Sequence, residues 1–499
     1  MGSSFRDLLQ YRRFFQLILV LGIGGSFQIG FQLSMITYTS VHVKALLNET
    51  WLARSGLPLP TETLTLLWSF IVSIYGLGGF LGSMASGYLT QRYGKKKCLL
   101  GNNVVMLMSA FLMGFSKMAS SFEMILAGRF LCGISAGLCI PLHPQYLGEI
   151  SPKKLRGFTS STASVFWSLG KAFGQILGQR ELLGSASLWP LLMAFSGFTA
   201  AIQLLTLPFF PESPPHLLLH KGDEQGCLKA MKILWGEGHH QAELEDLRKE
   251  LATLKGTRSS SVWEVVKDPS LRWQVYTLLL LVITMQLSGI NAIYFYTFEV
   301  LQTAGFDKDH IPYLSLGVSL CELLAAVMCS FIIERSGRKK LLWGGYWLMA
   351  TVLAMVTLTL SLQRWVPWMP YCSLALLFCF VMCFAMGPAG ATVSVRMEIF
   401  DQSSRSSAFV INGTLNWIGM FVIGMAFPFV VESLRQFSFL IFMVALYTSG
   451  LLIYLFLPET KNKSILEIRE EFEKLNFKKK QVLVLERNVT EERAFCTKL

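Results

Sequence analysis

Long stretches of the chain carry no aspartate, glutamate, lysine or arginine, among them Phe14–Val43, Thr63–Gln91, Phe130–Gly148, Trp273–Phe298, Leu341–Gln363, Trp365–Val395 and Ser406–Val431. A hydrocarbon core ~30 Å thick takes about 20 helical residues to cross, and each stretch reaches or approaches that length. Backbone polar groups cannot go unsatisfied in lipid, so these runs must be helices. A soluble core would not need so many uninterrupted runs. Composition agrees: 52% of residues are hydrophobic and 15% charged, against about 25% charged in typical soluble domains.

Adding the shorter apolar segments predicts twelve spans: 14–36, 66–90, 98–116, 121–147, 158–178, 186–207, 273–298, 310–333, 341–362, 368–395, 406–430 and 436–457. The first apolar run is read as a retained span rather than a removed leader, because it is too long and lacks a cleavage pattern. The formal charge is +12. Basic residues cluster at Arg92/Lys95/Lys96/Lys97, Lys153/Lys154/Arg156, Arg335/Arg338/Lys339/Lys340 and Lys478/Lys479/Lys480, all between spans or in the tail. By the positive-inside rule these segments face the cytoplasm, and an even number of spans puts both termini there. Such dispersed clusters do not form the continuous basic face of a nucleic-acid binder. The ten cysteines show no CxxC spacing, so neither disulfides nor a zinc site is expected. No nucleophile–base pair, metal spacing or phosphate loop suggests an enzyme or a cofactor.

The chain also repeats itself. Gly94-Lys95-Lys96-Lys97, Glu149 followed seven residues later by Arg156, and Pro211-Glu212-Ser213 are echoed in order. The echoes are Gly337-Arg338-Lys339-Lys340, Glu398 followed by Arg405, and Pro458-Glu459-Thr460-Lys461. A membrane protein of two homologous halves is the architecture of transporters that rock around a central site. The expected organisation is a six-helix bundle over 1–207, a linker with short helices over 208–272, a second bundle over 273–457 and a tail over 458–499. Ala242–Leu254 mixes charges with leucines, as a surface amphipathic helix does. The tail is expected to lose order after an initial helix. Asn48-Glu49-Thr50, in the loop after the first span, is the expected glycosylation site. The sequons at Asn412, Asn462 and Asn488 fall within a span or the cytoplasmic tail.

These motifs, with Tyr146-Leu147-Gly148-Glu149, Arg156-Gly157, Gln286-Leu287-Ser288-Gly289-Ile290-Asn291 and Asn416-Trp417, resemble the sugar porter family of the major facilitator superfamily. The resemblance runs from about residue 15 to 470. It implies an all-α membrane protein of twelve transmembrane helices in two six-helix bundles, working as a monomer on a small sugar by alternating access, in the plasma membrane. Val393 stands where class I glucose transporters carry a tryptophan, and Asn291-Ala292-Ile293 has the form associated with fructose-permissive members. Both suggest the class II facilitative hexose transporters, the fructose and urate group. The chain also departs from the pattern. His216 replaces an arginine, span 1 reads Gly30-Phe31-Gln32, and the double glutamine of span 7 is Met285-Gln286. A pocket glutamine of span 5 aligns with Ser164.

A hexose is a ring of hydroxyls, best recognised by neutral groups that both donate and accept, which asparagine and glutamine do. Gln286, Asn291 and Asn416, with Trp417 as an aromatic plate, are therefore candidate substrate contacts, together with Ser164. The bland reading is that intramembrane amides glue helices together. Lys171 in span 5 and Glu322 in span 8 are less expected, because a charge in the hydrocarbon costs about 2.5–3.5 kcal/mol even on the lenient insertion scale. The resemblance places the two on pseudo-equivalent inner helices, where they can pair across the cavity or act separately. If they pair, charged substrates such as urate-like anions become conceivable. A further alternative is a sugar sensor or receptor that no longer transports.

The resemblance also assigns conformational residues. Proton-driven sugar symporters carry an aspartate where Gln32 stands, beside an arginine where Arg129 stands. Gln32 takes up no proton near neutral pH, so downhill uniport is implied. Glu149, Arg156, Glu334, Arg338, Glu398 and Arg405 are implied to pair across the halves when the site faces outward and to separate when it faces inward. Tyr296 belongs with these gating residues.

Overall fold

The computed structural model describes residues 11–152, 156–236, 240–245, 247–248, 261–363, 365–400, 402–461, 463 and 467–475. Among them there is no strand. Among the described residues, ten helices are long and apolar enough to cross a membrane, the last of them running from Ser407 to Phe456. That last stretch is two helices, α18 (Gln402–Leu434) and α19 (Ser438–Phe456), joined by a turn at Arg435–Phe437. A further helix, α6 (Arg156–Leu177), lies outside the ten; Lys171 and a run of serine, threonine and glycine dilute it. The count is then the expected twelve.

The other spans are α1 (Arg12–Gly24) with α2 (Ser26–Ser55), α3 (Thr61–Tyr93), α4 (Lys95–Phe115), α5 (Phe122–Ile150) and α7 (Trp189–Thr206). After the linker helices α8 (Pro214–Lys221), α9 (Glu224–Trp235) and α10 (Val262–Lys267) comes a span in three pieces. These are α11 (Arg272–Leu287), α12 (Ile290–Phe295) and α13 (Thr297–Thr303). Then follow α14 (Ile311–Ser336), α15 (Arg338–Leu362), and α16 (Met369–Met386) with α17 (Pro388–Glu398).

The first span differs from expectation. It does not end near residue 36 but continues as helix to Ser55, where Gly56 takes the left-handed conformation (φ 68°). Val43, Leu46 and Leu47 are buried on this extension, so its apolar stripe keeps it helical after the charges begin. Asn48 is exposed on that helix, not in a loop. In the linker, Cys227, Met231 and Leu244 form a small core of their own, and Trp235 Nε1 donates to Ile150 O at 2.9 Å. Residues 249–254 of the expected amphipathic helix, and the tail beyond 475, lie outside the described residues.

Small residues set the packing, as they do where lipid offers no hydrophobic drive between helices. A Cβ on Gly133 would sit 2.1 Å from Tyr75 O, and one on Gly137 would sit 2.1 Å from Gly79 O, so α3 and α5 meet backbone to backbone. Gly30 against Trp167 O and Gly170 against Phe27 O do the same for α2 and α6. The first six spans meet the last six along two seams, α3 on α18 and α6 on α14. Under a six-span repeat α3 corresponds to α14 and α6 to α18, so these are one seam used twice.

The repeated motifs have a shared local cause. Gly94 (φ 84°) and Gly337 (φ 83°) turn the chain between two helices in a conformation that favours glycine. Helix N-termini leave N–H groups unpaired and attract anions. At α15, Glu459 accepts from the backbone N of Arg338 (2.9 Å) and Lys339 (3.2 Å), and from its own neighbours Thr460 (3.0 Å) and Lys461 (3.1 Å). At α4, Glu212 accepts from Lys96 N at 3.1 Å and Ser213 N at 3.2 Å. A glycine, a basic helix start and a distant Pro-Glu thus form one capping device, built twice.

Candidate functional site

The span made of α11 and α12 breaks at Gly289, which has φ 82°. A side chain there would meet Phe442 at 2.6 Å as well as the strained backbone. The break brings Gln286 and Asn291 to face each other. Asn291 Nδ2 donates to Gln286 Oε1 at 2.9 Å, and Gln286 Nε2 donates to Asn416 Oδ1 at 2.8 Å. Gln286 is buried, while Asn291 and Asn416 at the two ends of this relay are half-buried. Gly419 makes room for it: a Cβ there would lie 2.4 Å from Gln286 Cγ. Three amides on three helices, α11, α12 and α18, are therefore satisfied by one another and still reachable at both ends.

Trp417, next in sequence, faces elsewhere. It is 1% exposed, lies over Gly79 of α3 and meets Tyr75 edge-on at 5.5 Å. In this conformation it packs the α3–α18 seam and offers no open face. Ser164 is exposed on α6. It stands two helical turns before Lys171, on the same stripe of the helix.

Lys171 and Glu322 come together. Lys171 Nζ lies 2.9 Å from Glu322 Oε1 and 3.1 Å from Oε2, and both side chains are 7% exposed. Tyr294, which the sequence reading had not singled out, completes the group. Its hydroxyl donates to Glu322 Oε2, and the Lys171 ammonium sits 3.8 Å from its ring centroid. The only sequence sign of it was a tyrosine three residues after Asn291, on the same short helix.

Arg129 is fully buried, and the partners it shows are carbonyl oxygens: Gln32 O (3.3 Å), Gln32 Oε1 (3.4 Å), Ile71 O (3.5 Å) and Val72 O (3.3 Å). Its guanidinium also lies over the Tyr75 ring at 4.7 Å. Gln32 Nε2 donates to Ser196 Oγ at 2.7 Å. Tyr296 donates to Gly424 O at 2.7 Å and is buried.

The basic loops mark one end of the bundle. Among the described residues, the ion pairs there stay within a half: Lys95 with Glu149, and Arg338 with Glu398 at 3.3 Å. Arg405 Nη2 donates to Phe400 O at 3.2 Å. The side chains of Arg156 and Glu334 lie outside the described residues. At the opposite end the halves are tied together. Lys44 pairs with Glu299 (3.3 Å) and Arg180 with Asp309 (3.0 Å). Tyr38 and Gln179 both donate to Pro312 O, at 2.7 and 3.2 Å. Thr37 Oγ1 donates to Tyr294 O at 3.0 Å, and Thr65 Oγ1 to Glu432 at 3.3 Å.

Residues 17–472 match the family model described as "Sugar (and other) transporter". The chain belongs to this family. Its relatives include solute carrier family 2, facilitated glucose transporter member 11 of Homo sapiens, 42% identical, with 95% of this chain and 96% of the relative covered. Member 9 of Mus musculus is 40% identical over 95% of this chain and 88% of its own. These are class II members, the group that Val393 and Asn291-Ala292-Ile293 suggested. Among solved structures, the xylose transporter XylE from E. coli in a partially occluded inward open conformation superimposes with a TM-score of 0.74. It shares 20% identity and covers 91% of this chain and all of its own. That likeness shows the major facilitator fold.

Proposed function

We propose that this chain is a facilitative transporter that carries a hexose, fructose and/or glucose, down its gradient by alternating access. The observation that carries the reading is the Asn291–Gln286–Asn416 relay. It presents amides of both hydrogen-bonding senses on α11, α12 and α18, open at both ends, in a chain of the sugar transporter family. Sugar hydroxyls exchange for amide partners of equal strength, so binding leaves no polar group unpaired. Gln32 in place of a carboxylate beside Arg129 supports uniport, because no group there changes charge near neutral pH.

The two halves, 1–207 and 273–457, rock about this site, with 208–272 as tether and 458–499 as tail. Both termini and the basic loops lie in the cytoplasm, and the protein acts as a monomer in the plasma membrane. The conformer described here faces inward. Its supports are the ties across the halves at the end away from the basic loops and the ion pairs within each half that the described residues make at the basic end. Exposed Ser164, on the stripe that Lys171 closes two turns further along, supports a gap open toward the cytoplasm. In the outward state Glu149, Arg156, Glu334, Arg338, Glu398 and Arg405 exchange partners across the halves, and Tyr296 moves with the far gate. The Lys171–Glu322 pair is neutral overall and buried, which weakens the case for an organic anion such as urate.

Counterflow in proteoliposomes tests the reading with D-fructose, D-glucose and urate. Accelerated exchange of a hexose is expected. Exchange of urate alone, or of none of the three, would overturn it.

A further inference from the structure

The Lys171–Glu322 pair spans the two halves, buried between the spans α6 and α14 along their seam. Opening the far end must pull α6 from α14, and an ion pair that parts in a poorly hydrated place leaves two costly charges. The pair therefore favours the closed far end, which is the conformer described here. Tyr294 connects it to the amide site. This residue lies on α12, one turn from Asn291, and α12 is a single short helix set off by the break at Gly289. Its hydroxyl binds Glu322, its ring carries the Lys171 ammonium, and its carbonyl accepts from Thr37 of the first half. A shift of α12 at Asn291 cannot occur without disturbing all three contacts.

We propose that Tyr294 is a positioning residue that ties occupancy of the Gln286–Asn291–Asn416 site to the Lys171–Glu322 bridge. The triad thereby sets how the empty carrier divides between its two faces. Substrate reaching Asn291 moves α12, loosens the bridge and permits the far end to open; without substrate the bridge holds the carrier inward. This inference rests on the alternating-access reading.

The consequence is a sidedness of affinity. A carrier biased inward shows weak apparent affinity for substrate offered from outside, because only the minor outward population binds it. Tyr294→Phe keeps the ring and removes the hydroxyl bond to a charged group, a loss worth about tenfold in the equilibrium. The test measures zero-trans influx and efflux of D-fructose or D-glucose in oriented proteoliposomes. Tyr294→Phe is expected to lower the influx KM several-fold and raise the efflux KM, with Vmax/KM still equal in the two directions, as passive transport requires. The pair-neutral variant Lys171→Met/Glu322→Gln should shift both constants the same way, and the swapped pair Lys171→Glu/Glu322→Lys should return them toward wild type.

Unchanged KM values in Tyr294→Phe, even with lowered thermal stability, would make the triad merely structural and overturn the inference. So would a double-mutant cycle between Lys171 and Glu322 with no coupling. Failure of the wild-type protein to move either hexose would instead overturn the transport reading on which it stands.

Discussion

Replacing Gln286 by alanine removes both bonds of the amide relay at once, and its two costs can be worked separately. In the empty protein the change leaves Asn291 Nδ2 and Asn416 Oδ1 without their partner. Both asparagines are half-buried, so water replaces Gln286 and each net loss stays near the ~0.5–1.5 kcal/mol of an ordinary hydrogen bond. One buried methylene adds about 0.8 kcal/mol. Folding should thus weaken by about 2–4 kcal/mol, and surface expression should survive. With a hexose bound, the site is desolvated. A hydroxyl facing the missing amide then stays unpaired at about 1–3 kcal/mol, or roughly 5- to 150-fold in affinity. The assay is hexose affinity from uptake or binding in proteoliposomes, run beside thermal unfolding in detergent. Asn291→Ala should show the same pattern. An unchanged affinity with a lowered melting temperature would refute the reasoning, and the relay would then be glue between α11, α12 and α18.

Gly337→Ala should destabilise the protein by about 1–3 kcal/mol, because the residue has φ 83° and a Cβ would press on Glu459 Oε2 at 2.7 Å. Gly101→Ala, where a Cβ meets nothing within 4 Å, is the neutral control in the same unfolding assay. Uptake should not respond to an imposed pH gradient, since Gln32 bonds Arg129 and Ser196 where a symporter needs a titrating acid; concentrative uptake driven by protons would contradict this. Glycosylation is expected at Asn48 alone, on the exposed face of its helix; a mobility shift on deglycosylation that persists in Asn48→Gln would reverse the orientation assigned here.

Much of the fold was legible in the chain because lipid enforces it locally. An apolar run without charges has one way to satisfy its backbone, so charge spacing alone located Thr61–Tyr93 or Arg338–Leu362 to within a few residues. The repeat was legible for the same reason: Gly337 and Glu459 are each required by a local event, a left-handed turn and an unpaired helix N-terminus, even though 122 residues separate them. The candidate amides could be named from residue chemistry, since few side chains both donate and accept. Which partner each took was not legible. Trp417 follows Asn416 directly, yet it packs on Gly79 and Tyr75 because its helix meets α3 along that face. Hydropathy could not see the first span continuing to Ser55, because its buried stripe depends on neighbours.

The sequence by itself determined the number of spans, the two-fold repetition and the residue types able to recognise a sugar, because each follows from the chemistry of one segment in lipid. Only the tertiary structure decided that Lys171 meets Glu322 and that Tyr294 joins them. Those contacts bring together three helices from two halves. Their geometry depends on where α6, α12 and α14 cross, which no single segment specifies.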